Sequence, residues 1–133
     1  MTLTEWQRRA VGTPFVPFGR DYTGWDCYGA VVVAYRAVFG VELPDFYYPS
    51  VKEYATIGRI FLNDIKPAWT PVQSRPMAVA CIYRRGLPIH AGLVVENNRI
   101  LHVEHGIETC IQPAADFRVE GYYEPACRTT APV

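Results

Sequence analysis

Long apolar runs are missing from this sequence. Stretches such as Ala30–Tyr35 stop far short of the roughly 20 residues that a spanning helix needs, so no membrane insertion is expected. The start, Met1-Thr2-Leu3-Thr4-Glu5-Trp6-Gln7-Arg8, lacks the apolar centre of a secretion signal, so synthesis in a cytosol is expected. Net charge is also missing, because 13 Lys and Arg balance 13 Asp and Glu. Nothing draws such a chain to nucleic acid or to an anionic surface. Cysteine is scarce, at 4 residues, and without an export signal paired disulfides are not expected. No two cysteines are close enough to form a metal-ligand pair, so neither a metal nor another cofactor is implied. Cys81 and Cys110 lie in strand-like apolar runs and read as small buried hydrophobes, and Cys127 in the tail is uninformative. Histidine is scarcer still. An imidazole base has to be one of His90, His102 and His105.

What is present is an ordinary globular composition, 50% apolar and 14% aromatic over 133 residues, which predicts one domain over 1–133 with one core. A short helix is expected from Leu3 to Val11 with Thr2 or Thr4 as its cap, ended by Gly12-Thr13-Pro14. Phe15 to Gly24 reads as a loop. A second helix runs from Asp26 to Phe39, apolar nearly all round and stopped by Gly40. The capping box at Ser50-Val51-Lys52-Glu53 opens a third helix, to about Ile65, and Pro67, Pro71 and Pro76 mark an irregular connector. Five strands follow: Met77–Arg84, Ile89–Glu96, Arg99–Glu104, Ile107–Gln112 and Phe117–Glu124. Helices first and an antiparallel meander after them make an α+β fold, N-terminal helices packed on a sheet of about five strands.

Cys27 stands at the start of the second helix. The positive end of a helix dipole and its unpaired N–H groups favour thiolate over thiol, which predicts a reactive nucleophile. The order Cys at a helix start, then His on a later strand, then a polar residue on the next, is that of a papain-like nucleophile, base and orienting group.

Five stretches carry a resemblance: Gly12-Thr13-Pro14-Phe15, Gly24-Trp25-Asp26-Cys27-Tyr28-Gly29, Gly40-Val41-Glu42-Leu43-Pro44, His90-Ala91-Gly92-Leu93-Val94-Val95 and Leu101-His102. Over about residues 5 to 124 the chain resembles the NlpC/P-sixty family of cell-wall peptidases, and within it the bacteriophage tail-assembly branch. The resemblance implies a papain-like NlpC-type fold and hydrolysis of peptidoglycan stem peptides, typically between D-glutamate and a diamino acid. It implies Cys27 as nucleophile, His90 as base and His102 as the residue orienting it. Asp26 would contact the substrate amine, with Phe15, Trp25 and Tyr28 as walls of the cleft, and the Cys27 N–H would hold the oxyanion. Implied partners are the stem peptide and phage tail hub or tip proteins, with location in the virion tail during genome entry. The chain departs from the family at Phe15 (usually Tyr), at Tyr28 (usually Ser) and at Pro76-Met77-Ala78 (usually Pro-Gly-Asp).

Several alternatives stay open at this stage. A strict two-residue turn at Asn97-Asn98 would set His90 opposite His105, which is then the alternative third catalytic residue. A three-residue loop or a bulge would set Gly92 opposite His102 and make His90 and His102 diagonal neighbours on one face. Asp26 suits a helix cap equally well, and Phe15, Trp25 and Tyr28 suit plain packing. Beside the peptidase stands a structural tail-tip component with little turnover, and less strongly an acyltransferase or amidase.

Overall fold

The computed structural model describes residues 1–45 and 68–126. The expected third helix, with its capping box, and Cys127 lie outside the described residues. Helix α1 covers Leu3–Ala10. The Thr2 hydroxyl accepts the Glu5 N–H at 3.1 Å, and Trp6 and Ala10 form its buried stripe. A two-stranded ribbon, β1 (Arg20–Asp21) and β2 (Gly24–Trp25), forms within the segment expected to be loop. Helix α2 is Cys27–Phe39. Asp26 caps it by accepting the Gly29 N–H at 2.8 Å, and Gly40 ends it in a left-handed conformation at φ 66°. Every residue from Tyr28 to Tyr35 is buried, as the all-round apolar pattern predicts.

The sheet has six strands: β3 (Trp69–Val72), β4 (Val79–Arg84), β5 (Leu87–Val95), β6 (Arg99–Glu104), β7 (Ile107–Pro113) and β8 (Val119–Pro125). Their order is β3-β8-β4-β5-β6-β7, with antiparallel pairing throughout. The extra strand is β3, in the region expected to be an irregular connector around Pro71. Among the described residues it pairs with β8 alone, and an edge strand is where a proline without an N–H is tolerated.

Alternation along the strands gives the sheet two apolar faces. Val79, Cys81, Leu93, Val95, Leu101 and Val103 pack with α1 and α2 in the larger core. Ala78, Ala80, Ile82, Val94, Ile100 and Ala114 form a smaller cluster on the other face. Cys81 is buried in β4, as expected, and Cys110 is half-buried in β7. Trp25 anchors the ribbon to the larger core. It is fully buried, lies against Trp6 with centroids 5.8 Å apart, and donates from Nε1 to Thr109 Oγ1 at 2.8 Å.

Candidate active site

Register decides which histidines meet. Val95 pairs with Arg99, Val94 with Ile100 and Leu93 with Leu101, so the connection is the three-residue loop Glu96-Asn97-Asn98. Both asparagines adopt positive φ, 63° and 53°, which this residue type tolerates better than most. The odd loop length puts His90 and His102 on one face. Their rings meet edge to face, with His90 Nε2 and His102 Nδ1 3.0 Å apart, and both side chains are buried. His90 is paired across the sheet with Ile82, so the two rings continue the smaller apolar face. Gly92, between the two in the weave, has no room for a side chain: a Cβ there would lie 2.5 Å from Ile100 Cγ2. His105 goes elsewhere. It is exposed and lies edge-on to Phe15, with centroids 5.8 Å apart.

Two residues that the sequence did not single out complete the cluster. Gln112 on β7 offers Oε1 to His102 Nε2. Glu104, two residues along β6, places Oε1 3.8 Å from His102 Nδ1 and is held by Arg84, Nη2 to Oε1 at 2.8 Å and Nε to Oε2 at 3.1 Å. Phe117 closes the outer side, edge-on to His102 at 4.8 Å. The only advance signal for Gln112 was alternation along β7, and it becomes readable once His102 is known to pair with Cys110.

One proton arrangement satisfies these contacts. With the Gln112 amide oxygen as acceptor, His102 carries its proton on Nε2, and its Nδ1 is a lone pair. His90 Nε2 must then donate to that lone pair, which leaves His90 Nδ1 as the basic nitrogen.

Cys27 comes to the same strand. Its sulfur accepts the N–H of Ala91, the amide of the peptide joining His90 to Ala91, and also the N–H of Tyr28. Among the described residues the sulfur makes no hydrogen bond to the His90 ring. Such contacts are commonly long before substrate binds. The expectation of a lowered thiol pKa is corrected here. Burial pushes the Cys27 thiol up to about 12, the neighbouring Asp26 carboxylate adds to the rise, and the two backbone N–H bonds oppose it without winning. Part of the Cys27 residue reaches solvent, but the sulfur lies deep enough for loss of hydration to dominate. His90 is pushed the other way, to about 3, first by burial and then by Arg84 and His102, with Glu104 opposing. Glu104 itself is held below the usual carboxylate range. Burial works against its ionisation, and the Arg84 hydrogen bonds outweigh that. The resting thiol and the resting imidazole are therefore both neutral.

This pair sets a pH window for stability. His90 titrates at 6.5 when unfolded and about 3 when folded, so its contribution is present above 6.5 and is lost as pH falls towards 3. Cys27 titrates at 9.0 unfolded and about 12 folded, so its contribution is present below 9 and is lost as pH rises towards 12. Urea midpoints are expected to be level with respect to these groups between those limits. His90→Gln should flatten the acid-side decline, and an acid limb unchanged by that substitution would contradict the burial of a neutral His90.

Of the expected cleft residues, Asp26 is buried and spends its oxygens internally. Oδ1 takes Gly29 N–H and Arg20 Nη1 at 2.8 and 2.9 Å, and Oδ2 takes Phe18 N–H at 2.9 Å. The capping role is the one the geometry displays. Trp25 is correspondingly a core residue and, being fully buried, offers no face to a substrate. Tyr28 is buried with its hydroxyl donating to the Pro44 carbonyl. Phe15 is half-buried beside His105 and bridges to Trp25.

The sequence matches no family model and no curated protein. Solved structures do match. The NlpC/p60 domain of the peptidoglycan hydrolase SagA superposes with a TM-score of 0.62 at 17% identity, over 90% of this chain and 92% of that one. This chain has the NlpC/p60 fold. A Staphylococcus aureus protein of the NLP/P60 family, described as similar to lipoprotein, gives 0.61 at 18% identity over 92% of this chain and 39% of that one. RipD of Mycobacterium tuberculosis, described as a non-catalytic NlpC/p60 domain protein adapted to peptidoglycan binding, gives 0.58 at 16% over 92% and 93%. The NlpC/p60 fold accounts for the α+β arrangement predicted from sequence. The six strands among the described residues, against about five expected, are a minor difference.

Proposed function

We propose that the chain is a cysteine hydrolase acting on peptide bonds of peptidoglycan stems, with Cys27 as nucleophile, His90 as general base and His102 as the group that orients it. The observation that carries this reading is the Cys27 sulfur seated on the peptide of His90, whose ring is bonded to His102. The description of SagA as a peptidoglycan hydrolase supports the substrate class.

In this mechanism Cys27 Sγ attacks the scissile carbonyl carbon while its proton passes to His90 Nδ1. The first-turn N–H of Cys27, at the positive end of α2, faces the oxyanion. His90 then protonates the departing amine, water enters and loses a proton to His90 as it opens the thioester, and His90 returns that proton to the leaving Cys27 sulfur. The imidazolium exists only in passing. Its burial resists it, as do Arg84 and His102, and the Glu104 carboxylate favours it. A neutral resting pair means that the thiolate forms in step with attack rather than beforehand.

The finer reading is a D-glutamyl–diamino acid bond cut by a phage tail-tip protein during genome entry, in a virion tail where the chain meets hub proteins. Its support is the sequence around Tyr28 and the Gly40–Pro44 stretch. A second reading is peptidoglycan binding without turnover. The raised Cys27 thiol and Phe15, which cannot donate a hydrogen bond, favour it, and RipD is described as a protein of that kind. Digestion of purified peptidoglycan followed by mass analysis separates the two. The hydrolase reading expects soluble fragments bearing a new amine on the diamino acid. Intact sacculi that retain bound protein would support the binder.

A further inference from the structure

We propose that His90 Nε2, His102 Nδ1 and Glu104 Oε1 form a site for a transition-metal cation of the Zn²⁺ class, and that a cation held there blocks the base that serves Cys27. The blocking half rests on the hydrolase reading above. The binding half does not.

The three donor atoms lie within 4.8 Å of one another. The two nitrogens are 3.0 Å apart, and His102 Nδ1 to Glu104 Oε1 is 3.8 Å. Two Zn–N bonds of about 2.0–2.1 Å at a tetrahedral angle separate their nitrogens by about 3.3 Å. The pair therefore needs to open by only a few tenths of an ångström, with ring rotation to aim both lone pairs at one point. Two imidazoles and one carboxylate suit Zn²⁺ and its neighbours, whereas Mg²⁺ and Ca²⁺ call for oxygen-rich sets.

The supporting partners are already in place. Metal-bound histidines commonly donate their other N–H to a fixed acceptor, and His102 Nε2 does so to Gln112. Arg84 steadies the Glu104 carboxylate, whose oxygens each retain a lone pair beyond those hydrogen bonds. Phe117 supplies an apolar wall. The expectation of no metal site considered cysteine spacing. This set comes from two strands and becomes visible only through the β5–β6 register.

Blocking follows from the tautomer. His90 Nε2 carries its proton towards His102 in the metal-free arrangement. To ligate, it must expose a lone pair there, so the proton moves to Nδ1, the atom that would accept the thiol proton. Cation binding and activation of Cys27 are then mutually exclusive.

The test uses the full chain carrying Cys27→Ser, in which neither turnover nor that thiol contributes. Zn²⁺ affinity is measured by competition with a chromophoric chelator, geometry by Co²⁺ absorption, and stability by Tm with and without Zn²⁺. The expected result is one ion per chain with tetrahedral-type Co²⁺ bands. Glu104→Gln and His102→Asn should each weaken binding at least about tenfold, and Zn²⁺ should raise Tm in Cys27→Ser but not after Glu104→Gln is added. Absence of one-to-one binding in the micromolar range, or affinity indifferent to both substitutions, would overturn the site. In the unsubstituted protein, hydrolysis should fall along the Zn²⁺ binding curve and return with a chelator. Binding without inhibition of an active enzyme would overturn the blocking. If no preparation hydrolyses peptidoglycan, the hydrolase reading fails while the chelator titration still decides the site.

Discussion

Cys27→Ala is expected to lower peptidoglycan hydrolysis by on the order of 10⁴-fold or more while leaving the fold unchanged. The nucleophile forms the bond that splits a difficult step into two, and no other thiol among the described residues is placed on the His90 peptide. Cys81 Sγ instead lies against the Pro88 carbonyl at 3.5 Å, and Cys110 lies towards Gln112 at 3.9 Å. His90→Gln should cost about 10²–10⁴-fold, the usual worth of a positioned base. The double variant should be scarcely worse than Cys27→Ala, because nucleophile and base act as a unit. Rates from fragment release, with circular dichroism to confirm folding, give the comparison. Losses that simply multiply would mean that the two residues serve separate steps.

Gly29→Ala is expected to destabilise the chain by roughly 2–3 kcal/mol, although alanine is the better helix former by about 1 kcal/mol. A Cβ at Gly29 would lie 2.2 Å from the Gly19 carbonyl oxygen and 2.7 Å from Arg20 Nη1. The first is backbone and cannot swing aside. The second belongs to the guanidinium that donates to Asp26, so the clash also strikes the cap holding the Cys27 turn. A drop in Tm on the order of 10 °C follows, read by thermal unfolding. Gly40→Ala is the control. Among the described residues nothing lies within 4 Å of a Cβ there, and its left-handed φ of 66° is what is at stake. It should cost less, and a Gly29→Ala protein as stable as the parent would contradict the close packing of the loop on α2.

The close approach at Gly29 explains why part of the site was legible in the residues. Asp26-Cys27-x-Gly29 encodes a cap, a sulfur and a gap for the preceding loop in four consecutive positions, and His90-x-Gly92 encodes a ring beside a position that Ile100 leaves no room to fill. Helix α2, its cap and its stop were equally legible, because periodicity and end residues are local. The strand β3 was not, since Pro71 reads as a breaker until its edge position is known. Gln112 and Glu104 were not, because their relevance depends on hairpin register, and one residue's change in loop length at Glu96-Asn97-Asn98 would have sent His102 to the other face.

The thiol's direction was misjudged for a related reason. A helix start is visible in a sequence. The depth of the sulfur and the charge of Asp26 beside it are properties of the folded chain, and they outweigh the backbone N–H bonds of Ala91 and Tyr28. The consequence is chemical. A thiol that is neutral at rest should alkylate slowly at neutral pH, unlike a preformed thiolate, and in the proposed mechanism it would become nucleophilic only when a substrate is in place and His90 takes the proton.

Intact-mass analysis of the protein quenched during reaction with a soluble stem-peptide fragment tests that chemistry most directly. A transient adduct on Cys27 with the mass of the fragment's acyl half, its amine half having left, is expected; it should be absent from Cys27→Ala and should accumulate in His90→Gln once acylation is forced with an activated ester. Release of cleaved fragments while Cys27 stays unmodified at every quench time, or equal release by Cys27→Ala, would contradict it.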